Sequence, residues 1–123
     1  MNLLPRMAFR CMEPPRHICI PLFDPARNHE DDFPLVRLTT LRESAVDDAC
    51  TLHPADYAEL THATTVAYSR ALSGKKSLFQ NATIAGHFIQ LSDVPEATWK
   101  SIIQAAHASP ELSAKQKRLL PIV

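Results

Sequence analysis

Beyond about residue 40, apolar residues recur at intervals of three and four positions, which is the spacing of one helix face. A first helix is predicted to begin at Thr40, because residues 40–43 (Thr-Leu-Arg-Glu) have the capping-box pattern. Its inner face would carry Leu41, Ala45, Ala49 and Leu52. A second and longer helix is predicted over residues 55–73, with Gly74 placed as its C-terminal cap.

Two strongly amphipathic runs follow. A third helix is predicted over about residues 78–91, opened by another capping box at residues 77–80. The fourth begins with Asp93 as N-cap and Glu96 three residues later. Its buried face is predicted to consist of Trp99, Ile102, Ile103 and Ala106. A short last helix would run over residues 109–120.

The N-terminal quarter differs from the rest, because six of the ten prolines fall within the first 34 residues. Proline there disfavours a regular helix and any central strand. One apolar stretch stands out, at residues 17–23, and its central part could pair with residues 35–39 as a two-stranded ribbon. The arm would bind a partner protein through Ile18, Ile20, Leu22 and Phe23.

These patterns predict a mostly α-helical protein. A compact bundle of four to five short helices would span about residues 40–120. Residues 1–34 would form an extended or partly disordered arm, and residues 35–123 the helical domain. The chain has only two glycines, Gly74 and Gly86, which suits helices and leaves no glycine-rich phosphate loop.

Composition indicates one ordinary globular domain of 123 residues, with 46% hydrophobic and 21% charged residues. The formal net charge is zero, whereas nucleic-acid binders are usually far more basic. Three widely spaced cysteines form no disulfide framework and favour a reducing compartment. No apolar run approaches the length of a membrane span or a secretion signal, so a cytoplasmic protein is predicted.

Candidate chemistry in the sequence is sparse. Metal-ligand types cluster near the N-terminus, but their spacing matches no paired zinc pattern; they are Cys11, His17, Cys19, His29, Glu30, Asp31 and Asp32. Cys50 has His53 and Asp56 nearby as candidate base and carboxylate, yet it continues the inner side of the first predicted helix and is expected to be a buried apolar residue. The sequence therefore predicts no catalytic residue, no cofactor and no metal site.

The third and fourth predicted helices would meet at a tight corner, which is one form of a helix-turn-helix over residues 89–103. A plain antiparallel helix pair is the alternative, since the exposed face of the second helix has no arginine to contact guanine. Candidate nucleic-acid contacts are Lys75, Lys76, Lys100, Gln104, Lys115, Lys117 and Arg118. Lysines after a helix end equally complement its dipole and keep the surface soluble.

Two functional hypotheses result. The first is a small non-enzymatic regulatory protein that acts through protein–protein interaction, as an inhibitor or antitoxin-like module. The alternative is a helix-turn-helix DNA-binding regulator. Another protein is the expected partner, a homodimer and DNA are further possibilities, and no membrane association is predicted.

Overall fold

The computed structural model describes residues 2–26, 31–41 and 48–122. Within these residues the chain forms a seven-stranded antiparallel sheet and three α-helices. The strands are β1 (Phe9–Cys11), β2 (Ile18–Pro21), β3 (Asp32–Thr40), β4 (Thr51–Leu52), β5 (Thr64–Val66), β6 (Leu72–Lys75) and β7 (Phe88–Gln90). The helices are α1 (Lys76–Ile84), α2 (Glu96–Ala108) and α3 (Ala114–Arg118), with a 3-10 turn at Tyr68–Arg70. The predicted mostly helical bundle is therefore wrong.

Strand β3 organises the sheet, whose order is β4-β5-β3-β2-β1-β7, with β6 also paired to β3. The first half of β3 pairs with β6, its middle with β2 and its last residues with β5. In this register Cys19 lies opposite Arg37, and Phe33 lies opposite Gly74. Successive side chains of β3 alternate between the two faces of the sheet, so the strand contributes to two separate clusters.

The main core lies between one face of the sheet and helix α2. Val36 and Leu38 of β3 join Ile102 and Ile103 of the helix in one buried cluster. The opposite face carries an aromatic cluster, which is covered by α1 and consists of Leu3, Met7, Phe9, Phe23, Phe33 and Phe79. Phe79 makes edge contacts with Phe9 at 4.9 Å and with Phe33 at 6.0 Å between ring centroids.

The second predicted helix, over residues 55–73, is replaced by strand β5, the 3-10 turn and the start of β6. Residues 64–66 are Thr-Thr-Val, and β-branched side chains lose rotamer freedom in a helix but pack well on a pleated surface. The last residues of β3 offer these residues a hydrogen-bonding partner. Long-range pairing therefore outweighed the local apolar spacing.

The third predicted helix ends early, and this removes the helix-turn-helix. Helix α1 stops at Ile84, and Gly86 follows with a φ of +88°, a conformation that suits glycine and ends helices. The chain then continues as β7, which pairs with β1. The helix-turn-helix prediction is wrong because Ile89, its first core position, lies in a strand.

Other local predictions are confirmed. The ribbon between residues 18–20 and 35–39 exists as the β2–β3 pair. Helix α2 buries its predicted face of Trp99, Ile102, Ile103 and Ala106. By contrast, the expectation that the proline-rich N-terminal quarter contains no central strand is wrong, because it supplies β1 and β2, and β2 lies inside the sheet between β1 and β3.

The first predicted helix was expected to begin at Thr40, but Thr40 is the last residue of β3. Leu52, at its other end, lies in β4. Arg42, Glu43 and Ala45, on which that prediction partly depended, lie outside the described residues.

Candidate functional site

An open cavity of about 390 Å³ lies where β2 and the end of β3 meet the loop that precedes β5. Its lining includes two histidines, two arginines and one carboxylate, together with several threonine hydroxyls. The ionisable members are Arg10, Arg16, His17, Glu59 and His62. We refer to it as the histidine–arginine cavity.

His17 immediately precedes β2, and a backbone contact orients its ring. Its Nδ1 lies 3.2 Å from the carbonyl oxygen of Leu38. A carbonyl can only accept, so Nδ1 carries the hydrogen when the ring is neutral. Nε2 then keeps its lone pair and is suited to accept a proton.

His62 also lines the cavity, from the loop before β5, and contacts two hydroxyl groups. Its Nε2 is 2.9 Å from the Thr40 hydroxyl, and its Nδ1 is 3.0 Å from the Thr61 hydroxyl. A hydroxyl can either donate or accept, so both ring nitrogens can carry a proton with a hydrogen-bond acceptor in place. This environment accommodates a protonated imidazole.

The two arginines are held by the turn between β1 and β2. The guanidinium of Arg10 donates to the carbonyl oxygen of Arg16 at 3.1 Å. The backbone amide of Arg16 donates to the carbonyl oxygen of Glu13 at 2.9 Å. Arg16 has a φ of +58°, an uncommon conformation for a residue with a side chain. Such backbone strain is often found at functional sites, and here the strained residue lines the cavity.

The charge of the cavity favours an anion. Two permanent cations and two histidines face a single carboxylate, that of Glu59. Glu59 also accepts a hydrogen bond from the amide of Ser92 at 3.1 Å. Guanidinium groups bind phosphate through paired N–H donors, so the lining suits a phosphodiester.

The predicted partner-binding residues lie in the interior. Ile18, Ile20 and Leu22 belong to the main core, and Phe23 belongs to the aromatic cluster. Their exposed fractions do not exceed 6%. These four side chains therefore contribute to the packing of the interior. We do not propose them as contacts for a partner protein.

None of the seven candidate nucleic-acid contacts lines the histidine–arginine cavity. Lys75 forms an ion pair with Asp32 at 2.9 Å, and Lys100 one with Glu96 at 3.6 Å. Lys76 begins α1, and Gln104 is exposed on α2. The remaining three, Lys115, Lys117 and Arg118, lie on α3. Whether any of them contacts nucleic acid stays a prediction.

The other candidates for chemistry are distributed as follows. His29 and Glu30 lie outside the described residues, and the residues that are described contain no group of three His, Cys, Asp or Glu able to hold a metal ion. Cys50 is 6% exposed, and burial raises its pKa. It borders a second pocket with Asp56, but a buried, protonated thiol is a poor nucleophile.

Sequence reasoning missed the histidine–arginine cavity because its members are separated along the chain. Arg10 and His17 flank one turn, whereas Thr40 and His62 come from elements that meet only through the β3–β5 pairing. Arg16 and His17 are adjacent, follow two prolines and precede an apolar strand. This basic pair is the local feature of the sequence that could have indicated the cavity.

No protein-family model matches the chain, and the search of curated proteins finds no relative. Among solved structures, the chain is similar to one described as an endoribonuclease in complex with its cognate antitoxin from a mycobacterial species. The identity is 22%, the TM-score is 0.57, and the match covers 91% of this chain and 98% of the other. The similarity shows that the two proteins share a fold.

This comparison bears on the functional predictions. The expectation that the chain is not an enzyme is contradicted by this neighbour, which is described as an endoribonuclease. The broader expectation of a protein with a protein partner agrees with a neighbour that was solved bound to another protein. Homodimerisation and DNA binding stay predictions. In the part of the chain that the structure describes, no helix has the length and apolar character needed to cross a membrane.

Proposed function

We propose that this protein is an endoribonuclease that cleaves RNA in the histidine–arginine cavity and that a partner protein controls it. The observation that carries the proposal is the convergence of two imidazoles and two guanidinium groups on one open cavity. The shared fold with an endoribonuclease supports it.

Substrate binding follows from the charge of the lining. Arg10 and Arg16 would hold the non-bridging oxygens of a phosphodiester, and the same contacts would stabilise the extra negative charge of the transition state. The cavity is open to solvent and its lining includes the exposed Thr40 and His62, so a single-stranded segment can reach it without threading.

The reaction uses the ribose 2′-hydroxyl, which distinguishes RNA from DNA. His17 accepts the proton of this hydroxyl at Nε2, the 2′-oxygen attacks phosphorus, and the bond from phosphorus to the 5′-oxygen breaks. His62 donates a proton to the departing 5′-oxygen. The products are a 2′,3′-cyclic phosphate and a 5′-hydroxyl end, and the two histidines exchange protonation states.

The first test compares three substrates of the same sequence: a long single-stranded RNA, its 2′-O-methyl derivative and the corresponding DNA. We expect cleavage of the RNA alone, with cyclic phosphate ends identified by mass spectrometry. Cleavage of the 2′-O-methyl RNA at an equal rate would refute the reaction, because that substrate lacks the nucleophile.

The second test is substitution. His17→Ala and His62→Ala should each lower kcat by about 100-fold to 10,000-fold, the usual contribution of a positioned acid or base. His87→Ala is a matched control, since His87 is exposed and does not line the cavity. A folded wild-type protein without activity on any RNA would overturn the proposal.

A further inference from the structure

A groove distinct from both the histidine–arginine cavity and the Cys50 pocket lies on the sheet face opposite the main core. Helix α1 covers part of this face through Phe79 and leaves the rest as an open groove of about 250 Å³. The groove has an apolar floor formed by Leu35, Leu72 and Phe88. Leu72 is 57% exposed, so part of this floor is open to solvent.

Two cations border this apolar floor. Arg37 extends from β3 opposite Cys19, and Arg70 lies at the end of the 3-10 turn. Among the residues that the structure describes, neither guanidinium forms an ion pair. The one carboxylate in the lining is that of Glu13. The groove therefore combines exposed apolar surface with an excess of positive charge.

We propose that this groove binds an acidic segment of a partner protein, with apolar side chains of the segment on the floor and its carboxylates paired to Arg37 and Arg70. Arginine is suited to this role because its planar guanidinium binds a carboxylate through two parallel hydrogen bonds. The apolar floor supplies burial, and the two arginines supply selectivity for negative charge.

A second copy of this chain fits the groove less well. A symmetric dimer places the same patch of both subunits together, so the positive charges of the two copies would come close to one another. Like charges at an interface disfavour association. An acidic partner has no such penalty.

The groove adjoins the histidine–arginine cavity. Pro15 and His17 line both, since the turn between β1 and β2 forms the wall that separates them. A bound segment would contact one side of this wall while His17 serves the other. The inference that the partner inhibits cleavage rests on the proposed function, whereas the binding itself does not.

The test uses two short fluorescein-labelled peptides, one of alternating leucine and glutamate and one of alternating leucine and lysine. Fluorescence anisotropy should show that the protein binds the glutamate peptide, more weakly as salt rises, and does not bind the lysine peptide. The double variant Arg37→Glu with Arg70→Glu should raise the Kd for the glutamate peptide by at least about tenfold, since each arginine loses a charge-assisted hydrogen bond.

The matched control is Lys115→Glu with Arg118→Glu, which changes the net charge equally but lies on α3, away from the groove. This control should keep the wild-type affinity. If the first double variant fails to fold, Leu72→Asp replaces it, because that side chain is exposed and its loss removes part of the floor. Leu72→Asp should also weaken binding.

Several outcomes would overturn the proposal. These are no binding of the glutamate peptide, equal loss of affinity in the α3 control, or a dimer in sedimentation that Leu72→Asp dissociates. The peptide should also inhibit RNA cleavage by the wild type. A protein that binds the peptide but cleaves no RNA would refute the proposed function and leave the proposed binding groove intact. A protein that cleaves RNA but binds no peptide would refute the proposed binding groove alone.

Discussion

Replacing Gly74 with alanine tests how tightly the aromatic cluster is packed against strand β6. A Cβ at this position would lie 2.6 Å from Cε2 and 2.7 Å from Cζ of Phe33, well inside van der Waals contact. The Phe33 ring cannot easily move away, because it is fully buried and makes edge contacts with Phe23 and Phe79. The methyl group must therefore displace the ring or the strand.

Two opposing effects set the size of the change. Alanine restricts the unfolded chain and would by itself stabilise a strand by about 0.5–1 kcal/mol. Overpacking a closely packed core costs about 1–3 kcal/mol. The clash prevails, so Gly74→Ala should lower the free energy of unfolding by about 1 kcal/mol and, at this chain length, Tm by about 4 °C.

Urea and thermal denaturation followed by circular dichroism measure this effect. Ser73→Ala is the control in the same strand, since Ser73 is exposed, and it should change stability little. In a Phe33→Leu background the penalty of Gly74→Ala should shrink, because the ring atoms that it meets are gone. An unchanged or raised Tm for the single variant Gly74→Ala would refute the reasoning.

Three further predictions concern buried polar groups. Tyr68→Phe should lower the free energy of unfolding by about 1 kcal/mol, measured by urea denaturation, because the hydroxyl donates to the Ile102 carbonyl at 2.7 Å; an unchanged value would contradict this. Burial raises the pKa of the Cys19 thiol to about 11, so about one molecule in 1,000 carries the thiolate at pH 8; iodoacetamide should modify the partly exposed Cys11 first, as read by mass spectrometry. Burial also raises the pKa of Tyr57 from 10.0 to about 12, so the folded state retains its proton where the unfolded state loses it; stability should fall as pH rises across this range, and less steeply in Tyr57→Phe.

Much of the candidate site was beyond the reach of local sequence reasoning. In the sequence His17 stands among possible metal ligands, whereas nothing adjacent in the chain marks His62 as a site residue. Their common cavity depends on the register of β3 with its neighbours, and a register is a property of two distant segments. Arg16 was visible as a basic residue, but its left-handed backbone and its contact with Arg10 were not.

The sequence by itself determined the elements whose signals are local. The buried face of α2 follows from the helical spacing of its apolar residues, which do not pair with any strand. The β2–β3 ribbon follows from two short apolar runs that are near each other in the chain. Tertiary structure decided the remainder. Residues 64–66 became a strand because β3 offered them hydrogen bonds. Gly74 lies in β6 through its pairing with β3, and there Phe33 occupies the space that a side chain at this position would need. Helical periodicity describes one segment at a time, whereas a sheet gains its stability from contacts between segments that are far apart in the chain.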